Sequence, residues 1–273
     1  MTDQRVRIDV ADHVADVVLS RPEKHNALDA AMFAAILEAA AEVAATDGVR
    51  AVVLRGEGKS FCSGLDISSM GSLGDGSIGA QLARDPGRKS NGPQRACTDW
   101  IDLPLPVIAA IHGNCFGGGL QIALGADIRF AAPDAKLSVR ESHWGLIPDM
   151  GITSTLPRLV GIDVAKELTY TARTISGTEA AELGLVTHLA DDPAAAAREL
   201  ALEIADRSPD AVRSAKQLFD STWNAPAEEG LELETELNIA LIGSENQIAA
   251  VTAGMTNEPP KFVDRSSQPA ASS

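Results

Sequence analysis

Cysteine is scarce in this 273-residue chain, and basic residues are outnumbered by acidic ones. The three cysteines, Cys62, Cys97 and Cys115, are an odd number without C-x-x-C spacing, which fits a reducing cytoplasm and gives no metal-binding signature. With 23 lysines and arginines against 38 aspartates and glutamates, the formal net charge is −15. Such an excess of negative charge opposes a nucleic-acid or anionic-membrane partner.

Long apolar runs are missing as well. No run approaches the length of a membrane span, and residues 1–28 contain neither a long apolar core nor a cleavage-like site for a secretory signal. The composition, 45% hydrophobic and 22% charged, is ordinary for a globular protein. We therefore expect a soluble cytoplasmic protein with no membrane partner.

Strand and helix patterns alternate through the first two thirds of the chain. Alternating apolar and polar residues predict a hairpin that turns around Ala11-Asp12, and the Ala-rich segment 28–46 predicts a helix with Asp29 as its N-cap. Further strands are predicted at 50–56, 107–111, 126–132 and 183–190. Strands alternating with helices indicate an α/β core. Residues 71–92 have no strong period and are interpreted as a long surface loop or a partly helical flap.

Strand patterns stop near residue 193, where four helices are predicted, most of them opened by proline or by a capping serine. We divide the chain into an α/β core (1–192), a helical region (193–263) and a disordered tail (264–273). The third of these helices carries an apolar stripe broad enough to pack on two sides. Its members are Leu231, Leu233, Leu237, Ile239, Leu241 and Ile242.

Two glycine-containing turns follow two of the predicted strands. The first is "FCSGLD" (61–66), and the second is "FGGGLQ" (116–121), which opens a helix. Glycine lets backbone N–H groups approach a ligand with no Cβ in the way. One such turn is ordinary, but two that converge would form an oxyanion hole, which stabilises negative charge on a carbonyl oxygen.

These turns and their surroundings resemble the enoyl-CoA hydratase/isomerase (crotonase) family. The resemblance also covers "LSRPEKHNALD", "PVIAAIHGNCFGGGLQIALGADIRFA", "KLSVRESHWGLIPDMGITSTLPRLVG" and "TARTISGTEAAELGLVTHL", in the family's order and along most of the chain. It implies a spiral of ββα units followed by C-terminal helices that pack into trimers, commonly paired as hexamers. It also implies an acyl-CoA thioester substrate, with no cofactor besides the coenzyme A of the substrate.

The resemblance assigns roles residue by residue. The oxyanion amides fall on Leu65 and on Gly118, the middle of the three glycines. The remaining positions that match the family's substrate-binding segments are Arg21, Lys24, Ala27, Cys62, Ser63, Gly64, Asp66, Ile67, Gly117, Lys261 and Phe262. Of these, Lys261 and Phe262 match a C-terminal stretch that often touches the nucleotide.

Three residues match the family's acid positions. Hydratases of the family use two glutamates, one at the position of Gln121 and one at that of Glu141. An amide can hold water by hydrogen bonds but cannot accept a proton near neutral pH, so hydration by paired carboxylates should be impaired. Asp149 stands where the dienoyl-CoA isomerase branch carries a second acid, although that branch typically has an aspartate at position 121.

Three functions remain open from the sequence. We favour double-bond isomerisation of an enoyl- or dienoyl-CoA, with hydration of a 2-enoyl-CoA as the runner-up. An acyl-CoA-binding protein with little turnover is the third possibility, because a carboxylate is missing at position 121. His25, His112 and His143 are not catalytic candidates, and no residue pattern indicates a metal site.

Overall fold

The N-terminal hairpin forms where the sequence predicts it. In the computed structural model, which describes residues 4–66, 68, 82–84 and 86–264, strands β1 (Val6–Ala11) and β2 (Val14–Leu19) pair antiparallel. The two turn residues between them, Asp12 and His13, have φ angles of 54° and 64°, and such left-handed pairs match the twist of a hairpin. Helix α1 (Ala30–Ala45) then begins at the predicted cap, where the Asp29 side chain accepts a hydrogen bond from the Met32 N–H at 2.8 Å.

Seven further strands and nine further helices occur within the described ranges. The strands are β3 (Ala51–Gly56), β4 (Val107–Ile111), β5 (Asn114–Phe116), β6 (Ile128–Ala131), β7 (Lys136–Ser138), β8 (Ile175–Ser176) and β9 (His188–Leu189). The helices are α2 (Gly92–Ile101), α3 (Gly118–Leu124), α4 (Ile152–Thr155), α5 (Ile162–Thr171), α6 (Gly177–Glu182), α7 (Pro193–Ala205), α8 (Pro209–Thr222), α9 (Ala227–Leu241) and α10 (Glu245–Thr256). Short 3₁₀ helices cover Pro22–Lys24, Glu141–Trp144 and Leu156–Arg158. None of the helices described is long and apolar enough to cross a membrane.

The main sheet has the order β1-β2-β3-β4-β6-β9, and its neighbours from β2 onward are parallel. Its central strands are buried on both faces, as parallel strands usually are. Alternate residues such as Val52 and Leu54 face the core under α1, α2 and α3, whereas Val53 and Ile108 face the other side. This α/β architecture confirms the predicted fold class.

Parallel strands bring their carboxyl ends to one edge of the sheet, and binding sites of open α/β sheets lie at that edge. We call it the carboxyl edge. The segments that follow β2, β3 and β4 all start there, and they include "RPEKHNAL", "FCSGLD" and "FGGGLQ". Three segments that are distant in sequence are thereby placed side by side.

A small second sheet, in the order β5-β7-β8, was not predicted from the sequence. Its strands are two or three residues long, which is too short for an alternating pattern to show. The strand predicted at 183–190 is reduced to β9, because Gly184, with φ of 88°, turns the chain between α6 and that strand. The strand predicted at 126–132 is also shorter, since β6 begins only at Ile128.

All four C-terminal helices are present as α7 to α10. Helix α7, however, packs its small residues Ala197, Ala201 and Ala205 against the outer face of the main sheet. The boundary predicted at residue 193 therefore does not separate α7 from the core. Asp264, assigned to a disordered tail, accepts a hydrogen bond from Arg50 Nε at 2.7 Å, and the rest of that tail lies outside the described residues.

Most of the loop predicted at 71–92 also lies outside the described residues. Its last part leads into α2 through a capping box in which the side chains of Asn91 and Gln94 each accept a hydrogen bond from the other's backbone N–H.

Candidate functional site

The two glycine turns are joined at the carboxyl edge by backbone hydrogen bonds. The Cys62 N–H donates to Asn114 O and the Phe116 N–H donates to Cys62 O, each at 3.0 Å. Gly64, with φ of 86°, lies so close to the second turn that a Cβ atom on it would stand 2.7 Å from Phe116 O and 3.7 Å from Gly118 N. The structure thus brings the two predicted turns together, and the oxyanion hole that their amides would form stays a prediction.

The Leu65 amide points away from the strand-like contact that holds its segment. In that contact the Leu28 N–H donates to Gly64 O at 2.8 Å, and the Asp66 N–H donates to Leu28 O at 2.9 Å. Because successive N–H groups of an extended chain point to opposite sides, the N–H of Leu65 faces away from Leu28. Among the backbone hydrogen bonds of the described residues, none uses this N–H.

Within the described ranges, the Gly118 N–H has no acceptor either, for a different reason. Gly118 is the first residue of α3, and the first N–H groups of a helix have no acceptor within it. The flanking residue Gly117 donates its N–H to Ser138 O at 2.9 Å, and its carbonyl accepts from the Gln121 N–H at 3.0 Å. These two bonds fix the backbone around Gly118 without using its own N–H.

Glu141 lies against this same turn. It opens the 3₁₀ helix that follows β7, and a Cβ atom on Gly117 would stand 3.3 Å from its Oε1. Glycine at 117 therefore makes room for the carboxylate directly beside the Gly118 amide. The second carboxylate oxygen, Oε2, is enclosed and has no hydrogen-bond partner among the described residues.

Burial raises the pKa of Glu141 above its ordinary value, and the neighbouring carboxylate of Asp149 raises it further. The hydrogen bond from Gln121 acts in the opposite direction. Partial desolvation also raises the pKa of Asp149, although its surface is solvent-exposed. Both predicted acids thus have a raised pKa, and a raised pKa suits a carboxylate that must both take up and release a proton.

Gln121 is buried, with 1% of its surface exposed, and both ends of its side-chain amide are bonded. Its Nε2 donates to Glu141 Oε1 at 2.6 Å, and its Oε1 accepts from the Met150 N–H at 2.8 Å. The sequence suggested that Gln121 could hold a water molecule. In the structure its hydrogen bonds go to Glu141 and Met150, because the side chain lies between these two segments.

The segment after β2 is held by an ion-pair network. Arg21 Nη1 lies 2.7 Å from Asp66 Oδ2, and Arg21 Nη2 lies 3.4 Å from Asp29 Oδ2. Hydrogen bonds from Ser68 and Arg21 lower the pKa of Asp66 to about 2. Arg21 and Asp66, predicted to contact coenzyme A, are thus bound to each other. Contact of either side chain with a phosphate stays a prediction.

Asn26, which was not predicted to have a role, joins this segment to the turn after β3. It is fully buried with φ of 55°, and its Nδ2 lies 3.0, 2.8 and 3.1 Å from the carbonyl oxygens of Glu57, Ser60 and Phe61. A left-handed conformation is tolerated by asparagine better than by most residues. The sequence signal for this turn was the pair "His-Asn" before an apolar helix, because His25 and Asn26 both have a left-handed conformation.

The other predicted substrate contacts differ in accessibility. Lys24 and Ser63 reach the surface, whereas Ala27, Cys62, Gly64 and Gly117 are buried or nearly so. Cys62 Sγ donates to Asn26 O at 3.1 Å, and burial raises the pKa of its thiol to about 12. Cys62 therefore packs the turn rather than presenting a reactive thiolate. Ile67 lies outside the described residues.

Lys261 and Phe262 are not brought to this site. Their segment docks on Arg50, which immediately precedes β3: the guanidinium Cζ lies 6.0 Å from the centre of the Phe262 ring. It therefore lies at the opposite edge of the parallel sheet from the glycine turns. The sequence order could not show this, because the position of the last segment depends on how α7 to α10 pack.

Apolar side chains next to Glu141 were missed by the sequence interpretation. Trp144, Leu146 and Ile147 are 45%, 47% and 77% exposed. They follow Glu141 in the sequence, around a turn at Gly145 with φ of 72°, and form an exposed apolar surface on the segment that carries this acid. Across the described ranges, no group of three or more histidine, cysteine or carboxylate side chains is arranged to hold a metal ion.

Comparisons with known proteins agree with this arrangement. The family profile for enoyl-CoA hydratase/isomerase matches residues 9–265. The chain is 32% identical to the peroxisomal Delta(3,5)-Delta(2,4)-dienoyl-CoA isomerase of Arabidopsis thaliana, over 94% of this chain and 95% of the plant protein. It is 33% identical to the mitochondrial enoyl-CoA hydratase domain-containing protein 2 of Mus musculus, over 92% of this chain and 85% of the mouse protein.

A solved structure gives the same result for the fold. The enoyl-CoA hydratase of Bacillus anthracis superposes with a TM-score of 0.88 at 31% identity, covering 95% of this chain and 99% of that chain. The fold is therefore the crotonase fold, and the residues that the sequence singled out at the carboxyl edge lie where its two turns meet. The chain belongs to the enoyl-CoA hydratase/isomerase family.

Proposed function

We propose that the protein isomerises the double bond of an enoyl- or dienoyl-CoA through a thioester enolate. The N–H groups of Leu65 and Gly118 bind the thioester oxygen, and Glu141 moves the proton, with Asp149 as the second proton-transfer group. The observation that carries the proposal is the position of Glu141, whose carboxylate lies against Gly117 and therefore beside the free Gly118 amide.

The reaction balances with these groups alone. For a 3,5-dienoyl-CoA, one carboxylate removes a proton from C2, and the electron pair spreads along the chain and onto the thioester oxygen. Addition of a proton at C6 gives the 2,4-dienoyl-CoA. Two amides aimed at the oxygen stabilise the charge that develops there, and loss of one such donor costs about 10²–10³-fold in rate.

Two acids on one side of the substrate suit a shift between distant carbons. The charge of Asp149 acts on Glu141, and the two acids lie on the same segment, eight residues apart in the sequence. Identity to dienoyl-CoA isomerases from plant and mammal supports this reading. At 32–33% identity, the names of these relatives support the isomerase reaction only in part.

Hydration of a 2-enoyl-CoA is the second candidate, supported by the similarity to the Bacillus anthracis hydratase. It requires a group that orients water and exchanges a proton with it. Gln121 disfavours this reaction, because its amide is bonded to Glu141 and Met150 and cannot exchange a proton with water near neutral pH.

We further propose that the protein forms trimers or hexamers through its C-terminal helices. Large apolar side chains on or beside α9 and α10 are exposed in the single chain, a pattern that monomers seldom show. They are Leu231, Ile239, Ile242, Ile248, Val251 and Met255. Light scattering at micromolar concentration should give a trimeric or larger mass, and a monomeric mass would contradict the proposal.

The cytoplasmic location stays a prediction, since the relatives' names include peroxisomal and mitochondrial proteins.

The reaction is tested by offering the purified protein two substrates. Isomerisation of a 3,5-dienoyl-CoA extends the conjugation to the thioester and increases the absorbance, whereas hydration of crotonyl-CoA removes conjugation and decreases it. We expect faster turnover of the dienoyl-CoA. Efficient hydration with no dienoyl turnover would replace the isomerase by the hydratase, and binding without turnover of either would reduce the protein to a binding module.

A further inference from the structure

Gln121 connects the two segments that carry the proton-transfer groups. It lies on α3, three residues after Gly118, and reaches Glu141 with one end of its amide and the Met150 N–H with the other. Met150 is buried and directly follows Asp149. One side chain therefore fixes Glu141 itself and the backbone beside Asp149.

The chemistry of the two partners decides how the amide is oriented. A backbone N–H only donates, so it requires the amide oxygen. The amide nitrogen is then left for Glu141, where it serves a charged carboxylate oxygen at 2.6 Å. An ionised carboxylate at position 121 could accept from Met150 but could not donate to Glu141. The two hydrogen bonds, to Glu141 and from the Met150 N–H, therefore require a neutral side chain at position 121 with one donor and one acceptor.

The two carboxylate oxygens of Glu141, Oε1 and Oε2, consequently differ in their hydrogen bonding. Oε1 is held by Gln121, while the enclosed Oε2 has no partner among the described residues. A buried carboxylate oxygen without a partner is unfavourable in the ionised state. Oε2 is the oxygen that gains most from taking up a proton.

We infer that Gln121 is a positioning residue that selects Oε2 of Glu141 as the proton-transfer atom and favours isomerisation over hydration. It favours isomerisation because its amide is bonded to Glu141 and to the Met150 N–H, and an amide cannot exchange a proton with water near neutral pH. This inference rests on the proposed function for the product that is formed. The positioning of Glu141 can be measured without any turnover.

The first test removes both hydrogen bonds with Gln121→Met, which preserves most of the side-chain volume. Loss of the donor to Oε1 should raise the pKa of Glu141, because that hydrogen bond favours the ionised form. Asp149 is the charged neighbour that also acts on this carboxyl, and it is unchanged in the variant. The pKa is read from the ¹³C shift of labelled glutamate, assigned with Glu141→Gln. In the same variant, kcat should fall about 10²-fold, as for a misplaced catalytic group, with little change in KM.

The second test uses Gln121→Glu. Two carboxyl groups at this distance share one proton, and the protonated pair keeps a donor between positions 121 and 141. Both hydrogen bonds of position 121 should therefore be kept, but the side chain is now a group that exchanges protons with water. The ratio of crotonyl-CoA hydration to dienoyl-CoA isomerisation should rise by about 10²-fold, the low end of what a positioned acid–base group contributes.

Ile122→Val is the matched control, since Ile122 is a buried neighbour on α3 outside this network. It should leave the pKa of Glu141 and the product ratio at their original values. An unmoved pKa of Glu141 in Gln121→Met would overturn the positioning role, even if stability falls. If Gln121→Met does not fold, an unchanged product ratio in Gln121→Glu overturns the inference. If the pKa of Glu141 shifts in Gln121→Met but the unmodified protein does not isomerise a dienoyl-CoA, the positioning role is retained and the proposed function is rejected.

Discussion

The two edges of the parallel sheet differ in the polar groups that are hydrogen-bonded and in those that are not. At the carboxyl edge, the N–H groups of Leu65 and Gly118 take part in none of the backbone hydrogen bonds that fix their turns, and Glu141 Oε2 has no partner among the described residues. At the other edge, buried cations are bonded. Arg50 binds Asp264 and Ala205 O, and Arg129 binds Leu185 O and Ala126 O.

This difference separates function from stability. A buried polar group that has a partner adds modestly to stability, whereas one without a partner is costly unless a ligand completes it. In the proposed mechanism, the open groups at the carboxyl edge supply two amide donors and one proton acceptor. At the opposite edge, the bonds of Arg50 join the end of α7 and Asp264 to the start of β3. Changes at the two edges should therefore have different consequences.

The largest effect is expected for Glu141→Gln. Removal of the proton acceptor should lower kcat by about 10²–10⁴-fold or more, because the enolate cannot form without it. Acyl-CoA affinity should barely change, because in the proposed mechanism the amides of Leu65 and Gly118 hold the thioester oxygen. Steady-state kinetics and equilibrium binding measure the two quantities. Near-full activity on every enoyl-CoA offered would remove Glu141 from the mechanism.

The next effect concerns the geometry of the oxyanion amides. Gly64→Ala places a Cβ 2.7 Å from Phe116 O at a φ of 86°, so the two turns must move apart. We expect kcat/KM to fall about 10²-fold, comparable to the loss of one oxyanion donor. Gly87→Ala is the control, because Gly87 has a similar φ of 80° and open space around it. It should lose about 1 kcal/mol of stability with unchanged activity. Equal activity losses in both variants would argue against a specific role for Gly64.

At the opposite edge, Lys216→Met should affect stability and not catalysis. Lys216 pairs with Asp127, whose pKa is raised by burial, and its loss raises that pKa further. A carboxyl with a raised pKa binds more protons in the folded state, so stability falls as pH rises above about 4. The free energy of unfolding should be lowered by about 2 kcal/mol at pH 7, and by much less at acidic pH. Urea unfolding at both pH values checks this. A loss that does not depend on pH would contradict the explanation.

The smallest change is expected in the pH profile of Asp149→Asn. Since Glu141 must be ionised to accept a proton, kcat should fall at acidic pH, with a midpoint above the ordinary value for glutamate. Asp149→Asn removes a negative neighbour and should move that midpoint to lower pH. Isomerisation of a dienoyl-CoA should decline more than hydration, because the proposed mechanism uses Asp149 as the second proton-transfer group of the isomerisation. An unmoved midpoint would show that the two carboxyl groups do not interact.

Local signals in the sequence predicted the elements that local chemistry decides. The hairpin at Asp12-His13, the Asp29 cap and the glycine turns depend on a few consecutive residues, and all are confirmed. The convergence of the turns followed from the direction of parallel strands. Both acids, Glu141 and Asp149, came from the resemblance to the family and not from any local pattern.

Contacts between distant segments could not be predicted. Nothing in "GGGLQ" shows that Gln121 bonds both Glu141 and the Met150 N–H, since each bond spans at least 20 residues. The docking of Phe262 beside Arg50 and the packing of α7 on the sheet likewise depend on the path of the whole chain. These contacts changed the interpretation of Gln121 and of the C-terminal segment.

The central claim is that the carboxyl edge forms a thioester enolate with Glu141 as the base. The most direct measurement is exchange of the C2 protons of a saturated acyl-CoA with D₂O, followed by mass spectrometry, because this substrate can be neither isomerised nor hydrated. The account predicts enzyme-dependent exchange that is lost in Glu141→Gln and weakened in Gly64→Ala, but retained in Gly87→Ala. Exchange that persists unchanged in Glu141→Gln would contradict it.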